Sequence, residues 1–440
     1  VETLRMQPVQ KPVEGVVRVP GSKSITNRAL ALAALAEGTT TLQNALFADD
    51  TLRMTDCLRA LGFAVQADPT TERMLVRGAN GTIPATSAEL FVGNSGTTAR
   101  FVTPLAALGH GEYTLDGVAR MRERPIGDLL TALHGLGVTA ESIWGNGCPP
   151  VRILATGLHG GTTTVRADKS SQFLSGLLLA APCADGAETI IHIEGPILSA
   201  PYIEMTVALL RDFGAVVEIS DNKRTYRIPG RQVYSAKTDY TIEPDASSAS
   251  YFWAVPALTG GRVRIDGVGA QALQGDVAFV DILEAMGCQV IRTADSIEVC
   301  GTSELNGVTW DMNAISDTVM TLAALAPFAN TPTRIENVAH IRHKETDRLQ
   351  AVATELERLG VSIEEREDGI TIYPAKEIHP TVVQTYDDHR MAMAFSLVGL
   401  RVPGIEIADP LCVNKTFPDY FARLATLVAG EMPSLAEAGK

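Results

Sequence analysis

The amino-acid sequence predicts an α/β protein built from six similar small units, grouped as two clusters of three. Three observations carry that reading. An apolar segment ending in Leu, Met or Phe followed by Gly recurs at Leu61-Gly62, Leu136-Gly137, Phe213-Gly214, Met286-Gly287 and Leu359-Gly360, every 73 to 77 residues. That period is too long for a solenoid repeat and suits a small α/β module. Ahead of each dipeptide comes a short stretch of alternating apolar residues, the mark of a half-buried strand. Each such strand follows a helix whose Ala, Leu, Val and Met cover nearly every face, and a helix apolar all round is buried.

Taken in order, the strands read TTTLQN, EYTLDG, ETIIHIEG, RVRIDGV, TRIENV and IEIADP. The last unit, from Gly404, is truncated and ends in a short helix around Tyr420 to Leu427. Buried helices are expected from Ser24 to Ala36, Thr97 to Leu108, Gln172 to Ala181, Ser247 to Leu258, Thr318 to Phe328 and Met391 to Leu400. A chain of 440 residues holds two or three domains at roughly 150 residues each. Two cores are therefore favoured over one. Aromatic residues are only 5%, so Ala, Val, Leu and Ile must fill those cores.

Charged residues at 20% and hydrophobic residues at 45% exclude a disordered chain or a disulfide scaffold. The net charge is −14, from 37 Lys and Arg against 51 Asp and Glu. That argues against nucleic acid or an anionic membrane as partner, since both need a basic surface. It is silent on a small anionic substrate, which needs only a few local cations. Cys57, Cys148, Cys183, Cys288, Cys300 and Cys412 form no C-x-x-C pair, so free thiols in a reducing compartment are expected. No run reaches the ~18 apolar residues of a membrane span. The opening VETLRMQPVQK lacks the apolar core of a signal peptide. A cytoplasmic location is expected.

The chemistry sits at the starts of the buried helices: Ser22-Lys23-Ser24, Asn94-Ser95-Gly96-Thr97, Ser170-Ser171-Gln172, Asp245-Ala246-Ser247-Ser248, Ser316-Asp317-Thr318 and Asp388-His389-Arg390. Capping explains the Ser, Thr, Asn and Asp. It does not explain Lys23, Arg28, Arg100 or Arg390, because cations oppose the positive end of a helix dipole. An anion that joins backbone N–H groups and cation at one point resolves the conflict. Gly21-Ser22-Lys23-Ser24 lacks the spacing of a nucleotide-binding P-loop. No G-x-G-x-x-G follows a strand and no G-x-S-x-G elbow is present. His340 and His343 form H-x-x-H without a metal template around them.

Two charged segments stand out. Arg120-Met-Arg-Glu-Arg124-Pro125 puts three cations in five residues, either as a solvated loop or as an anion clamp. Arg342-His-Lys344-Glu345-Thr-Asp347-Arg348 follows the strand TRIENV. If helical, it turns Lys344 and Arg348 to one face. Glu345, set among cations, is a candidate to carry a proton.

These segments resemble the 5-enolpyruvylshikimate-3-phosphate synthase family. The resemblance spans nearly the whole chain and rests on PGSKSITNRA, GNSGTTAR, RMRERPIGDL, DKSSQFLSG, PDASSASYF, the Asp317 segment, HIRHKETDRL, YDDHRMAM and CVNKTFPDYF in order. It implies two similar domains, each of three β-α-β-α-β-β units around buried helices. This is an inside-out α/β barrel with a six-fold internal repeat. The domains would be residues 21–241, and 1–20 with 242–440. The active site would lie in the cleft between them, and the domains would close on the substrates.

The implied reaction moves the enolpyruvyl group of phosphoenolpyruvate onto the 5-hydroxyl of shikimate 3-phosphate and releases phosphate. It proceeds by addition and elimination through a tetrahedral intermediate and leads towards chorismate and aromatic amino acids. No metal or organic cofactor is implied, and a monomer is expected. By resemblance, Lys23, Ser24, Arg28, Ser170, Ser171, Gln172, Ser199, Tyr202, Asp317, His340 and Lys344 hold shikimate 3-phosphate. Lys23, Asn94, Gly96, Thr97, Arg124, Gln172, Arg348, Arg390 and Lys415 surround phosphoenolpyruvate. Lys23, Asp317 and Glu345 are the implied catalytic residues. Asp317 takes the hydroxyl proton, and Glu345 protonates the methylene carbon and later helps remove a proton.

Two departures from the family pattern bear on the site. His340 stands where Asn is common, and Phe101 where many members have Pro. A bulkier Phe101 behind the Gly96 helix is expected to shift Gly96 slightly. Gly96 itself is retained, which implies inhibition by glyphosate in competition with phosphoenolpyruvate. The related enzyme acting on UDP-N-acetylglucosamine has G-A-K-N at the first motif and a reactive Cys in its flexible loop, and neither is present here. A non-catalytic anion-binding protein on this scaffold would be expected to lose Asp317 or Glu345. Lys23, Arg28, Arg100, Arg124, Lys344, Arg348, Arg390 and Lys415 are eight of the 37 cations. Gathered at one site, they leave the acidic excess elsewhere on the surface.

Overall fold

The computed structural model describes residues 2–430. The chain divides into two compact units: Gly21–Ile242 forms one, and the segment up to Pro20 joins the chain from Glu243 onward in the other. In the first unit the helices are α1 (Lys23–Leu35), α2 (Asp49–Ala60), α3 (Gly96–Ala106), α4 (Gly127–Gly135), α5 (Gln172–Ala180) and α6 (Ala200–Asp212). In the second they are α7 (Ala246–Thr259), α8 (Phe279–Ala285), α9 (Val319–Leu325), α10 (Arg348–Arg358), α11 (His389–Ser396) and α12 (Tyr420–Ala429).

The odd-numbered helices are the apolar ones. Every residue of α3 is buried, as is every residue of α7 from Ala246 to Leu258. The even-numbered helices bury one face only; α10 buries Leu349, Val352 and Leu356 and leaves its other side to solvent. Five of these outer helices run into the recurring dipeptide, whose glycines have φ between +81° and +109°. That left-handed backbone is what glycine after a helix supplies at low cost.

The sheets are small, mixed and alike. In the first unit, Ser87–Phe91 pairs parallel to His110–Asp116, which pairs antiparallel to Val151–Thr156, which in turn pairs antiparallel to Thr139–Ser142. Gly161–Arg166 begins a second sheet of the same order, through Glu188–Glu194 and Thr225–Pro229 to Glu218–Ile219. Tyr240–Thr241, at the end of the unit, supplies the parallel strand beside Thr39–Gln43 in the third. The second unit repeats the order with Val13–Val17 beside Gly261–Asp266 and Thr309–Asp311 beside Thr333–Glu336. In its last sheet Val382–Val383 lies parallel to Glu406–Ala408, with Thr3–Arg5 on the far side. Each unit has its own apolar cluster, one around α1, α3 and α5 and the other around α7, α9 and α11.

One expected helix, Thr318 to Phe328, is α-helical only over Val319–Leu325 and finishes as a 3-10 turn. Asn313–Thr318 is a 3-10 turn with a kink at Ile315, and the α-helix proper begins at Val319. It ends at Leu325, ahead of Pro327, whose ring cannot continue the hydrogen-bond ladder. All six cysteines are free thiols. Among the described residues no helix is long and apolar enough to cross a membrane.

The buried helices meet backbone to backbone at one point. A Cβ on Gly176 of α5 would overlap the carbonyl oxygen of Arg100 in α3. Gly176→Ala is therefore expected to force the two helices apart and to destabilise the protein by about 1–3 kcal/mol through overpacking. The readout is a lower denaturation midpoint; an unchanged midpoint would show that the contact has slack.

Candidate active site

In the first unit, the starts of the three buried helices carry the candidate residues. Ser22 caps α1, its hydroxyl accepting from the Ile25 amide at 3.4 Å. Lys23 opens the helix and sets its ammonium 3.3 Å from the buried Asp50 carboxylate. One turn on, Arg28 is 2% exposed. Its guanidinium donates to Thr206 Oγ1 at 2.7 Å, the Ser24 carbonyl at 2.9 Å, the Tyr202 carbonyl at 3.1 Å and Ser175 Oγ at 3.4 Å. Among the described residues none of these partners is a carboxylate. Burial pushes its pKa down to about 10, so it remains a cation at neutral pH.

The ring of Phe101 lies 5.0 Å from the Arg28 guanidinium. The Phe101 side chain is fully buried beneath Arg28. Phe101 thus acts on Arg28 through a cation–π contact.

At the start of α3, Ser95 accepts from the Thr98 amide at 3.3 Å. Arg124 reaches back to Asn94, donating to its carbonyl at 2.8 Å and to Oδ1 at 3.2 Å. Arg124 is 5% exposed and its Nε finds no partner among the described residues. A Cβ on Gly96 would overlap this guanidinium, so glycine here lets the cation lie against the helix start. Gln172 opens α5 and donates to Thr97 Oγ1 at 3.1 Å, tying α5 to α3. Ser170 Oγ accepts from the Gln172 amide at 3.2 Å, and Ser171 is buried beside it. Ser199 takes a left-handed φ of +50° before α6, which carries Tyr202.

The second unit holds a denser network. Arg348, 1% exposed, is the first residue of α10. Its guanidinium donates to Asp388 at 2.7 and 3.2 Å, to Glu345 Oε2 at 2.8 Å and to Asp317 Oδ1 at 3.2 Å. Burial works against its charge, yet the Asp388, Glu345 and Asp317 carboxylates outweigh that and hold its pKa above the ordinary value. Arg390 donates to the other Asp317 oxygen at 2.6 Å and to the Tyr251 hydroxyl at 3.3 Å. Lys415 Nζ stands 3.8 Å from Glu345 Oε1. His340 is buried, and that burial, followed by the charge of Lys344, pushes its pKa down to about 3. Lys344 is half-buried at the end of a short 3-10 turn.

Two sequence expectations change here. Lys344 and Arg348 do not share a helix face, because α10 begins only at Arg348 after the Asp347 cap. Asp317 caps no helix; it sits in the 3-10 turn and spends its carboxylate on two arginines. The Arg120–Arg124 segment, readable as a solvated loop or an anion clamp, divides between the two environments. Arg120 pairs with Glu123, Arg122 with Asp116, and only Arg124 turns inward. Sequence reasoning also passes over Asp50, and it reads Asp388 only as a helix cap. Asp388 has a signal, an acid two residues before Arg390 at a helix start. Asp50 stands in the Asp49-Asp50 pair opening α2, which reads as ordinary helix-start chemistry. Among the described residues no group of three or more His, Cys, Asp or Glu is placed to hold a metal ion.

Comparisons with known proteins converge. The sequence profile of EPSP synthase (3-phosphoshikimate 1-carboxyvinyltransferase) matches residues 8–424. The chain is 50% identical over 424 residues to the 3-phosphoshikimate 1-carboxyvinyltransferase of Nostoc punctiforme, covering 96% of this chain and 98% of the relative. It is 47% identical to that of Serratia proteamaculans, covering 97% and 99%. Among solved structures, an EPSP synthase from Acinetobacter baumannii superposes with a TM-score of 0.80 at 27% identity, covering 99% of each chain. The enolpyruvyl transferase NikO from Streptomyces tendae shares the fold, with a TM-score of 0.74 at 22% identity and 97% coverage of each. The chain belongs to the EPSP synthase family and carries the 3-phosphoshikimate 1-carboxyvinyltransferase activity of the shikimate pathway.

Proposed function

We propose that the residues gathered in both units serve this one reaction, each set holding a different part of it. The observation that carries the reading is the charge state of the first unit. Arg28 and Arg124 are buried cations whose partners are carbonyls, hydroxyls and an amide. A buried charge without a counter-ion costs several kcal/mol, and a bound anion removes that cost. On this reading Arg28, with Ser24, Ser170, Ser171, Ser199 and Tyr202, holds shikimate 3-phosphate. Arg124, Lys23, Asn94, Gly96, Thr97 and Gln172 receive phosphoenolpyruvate, together with Arg348, Arg390 and Lys415.

The second unit supplies the proton chemistry. A single guanidinium, Arg348, holds both Asp317 and Glu345. Asp317 accepts the proton of the shikimate 5-hydroxyl as its oxygen attacks the enolpyruvyl carbon. Glu345 gives a proton to the methylene carbon, and a methyl group forms. Loss of phosphate, which carries off the proton held by Asp317, and of one methyl proton, back to Glu345, forms the enol ether. Prepositioned cations stabilise the developing charge. Lys23 stands at the phosphate and Lys344 and His340 on the shikimate side. His340 acts as a neutral hydrogen-bonding ring, since its buried imidazole is not a proton carrier at working pH. The three similar units around each apolar cluster fit an inside-out α/β barrel, and the protein works as a cytoplasmic monomer.

Release of inorganic phosphate is expected only when phosphoenolpyruvate and shikimate 3-phosphate are both supplied. Glu345→Gln should reduce it by about 10²-fold or more while shikimate 3-phosphate still binds. Glyphosate should raise the KM for phosphoenolpyruvate in the same assay. Full turnover in Glu345→Gln removes Glu345 from the proton steps.

The His340 ring has a checkable titration. In the unfolded chain it takes a proton near pH 6.5, and in the folded chain only near 3. Between these values the unfolded state binds more protons, so His340 lowers stability as pH falls from about 6.5. Its NMR signals should not titrate between pH 5 and 8; a folded-state midpoint near 6.5 contradicts the assignment.

A further inference from the structure

Tyr386 and Asp387 lie just before the start of α11 with φ of +56° and +54°. Two successive non-glycine residues in the left-handed region are strained, and such strain persists only where the surroundings over-determine it. The over-determination comes from α10. Glu355 is 0% exposed. One of its oxygens accepts the Tyr386 hydroxyl at 2.7 Å. The other accepts the Gln384 amide at 3.0 Å and Arg358 at 2.6 Å. Seven residues earlier on the same helix, two turns away and on the same face, Arg348 grips Asp388.

The strained turn is therefore fastened to α10 at both ends, by Glu355 before it and by Arg348 after it. Beyond the turn the chain enters the reactive part of the unit. The Asp388 carboxylate accepts from the Arg390 amide at 2.9 Å and fixes the first turn of α11. Arg390 then places its guanidinium against Asp317. A simple salt bridge from Glu355 to the half-exposed Arg358 needs neither the Tyr386 hydroxyl nor the Gln384 amide.

We infer that Glu355 and Tyr386 are positioning residues, which hold the strained Tyr386-Asp387 turn so that Arg390 meets the enolpyruvyl anion. The inference rests on the proposed role of Arg390 at phosphoenolpyruvate. The Tyr386 hydroxyl stays a donor throughout the working range, because burial, then its bond to Glu355, pushes its pKa up to about 12.

The test is Tyr386→Phe, which removes one oxygen and leaves the ring. Its KM for phosphoenolpyruvate should rise about tenfold, as for a lost hydrogen bond to a charged group. Its KM for shikimate 3-phosphate should stay close to that of the parent, whatever the lost bond takes from the thermal midpoint. Glu355→Gln, which keeps one carbonyl acceptor, should recover part of the affinity that Glu355→Leu loses. An unchanged KM for phosphoenolpyruvate in Tyr386→Phe overturns the inference. So does a parallel rise in both KM values with a falling midpoint, which marks a purely structural role. Arg390→Lys separates the two claims. If it binds phosphoenolpyruvate normally, the reading of Arg390 fails and takes the inference with it. If it is defective while Tyr386→Phe is normal, only the inference fails.

Discussion

The second unit turns on one guanidinium. Arg348 is buried at the start of a helix, where the backbone dipole opposes a positive charge. Three carboxylates, Asp388, Glu345 and Asp317, reverse that penalty. Because the guanidinium is a rigid planar fork, it also fixes where these carboxylates stand. The two proposed proton carriers are thus held by the same side chain, at 2.8 and 3.2 Å. Charge compensation and catalytic geometry are one requirement here.

The first unit meets the same electrostatic problem differently. Lys23 is set against Asp50, but Arg28 and Arg124 are held by neutral oxygens and, for Arg28, by the face of Phe101. Neutral oxygens orient a guanidinium without cancelling its charge. Among the described residues the first unit thus sets Arg28 and Arg124 against neutral oxygens, while the second sets Arg348 and Arg390 against carboxylates, two of them the proposed proton carriers. The repeated architecture makes both possible. Each small mixed sheet delivers a buried helix, and each such helix offers backbone N–H groups and a short polar cap at its start. The net charge of −14 bears on the outer surface and says nothing of these starts.

Much of this was legible in the sequence, for physical reasons. All six strands read from alternation are present, because a half-buried strand must alternate. The glycine that closes five of the outer helices was visible because a left-handed turn after a helix selects it. The polar starts of the buried helices stood out because cations there contradict the dipole. What stayed hidden depends on distance in the chain. Nothing around Phe101 points to Arg28, 73 positions earlier. The carboxylate partners of Arg348 lie 31 and 40 residues away, apart from Glu345. Periodicity also misled at Lys344, where an apparent helical register stops at the Asp347 cap.

The central claim is that the shape of the Arg348 fork, as well as its charge, holds the acid and the base. The most direct measurement is single-turnover kinetics of Arg348→Lys with both substrates at saturation. Lysine preserves the charge but gathers its donors on one nitrogen, so it cannot reproduce the spacing at which three nitrogens of the fork hold the carboxylates. The account predicts a chemical step slowed by about 10²-fold or more, with shikimate 3-phosphate affinity retained. A chemical step at the parent rate would contradict it.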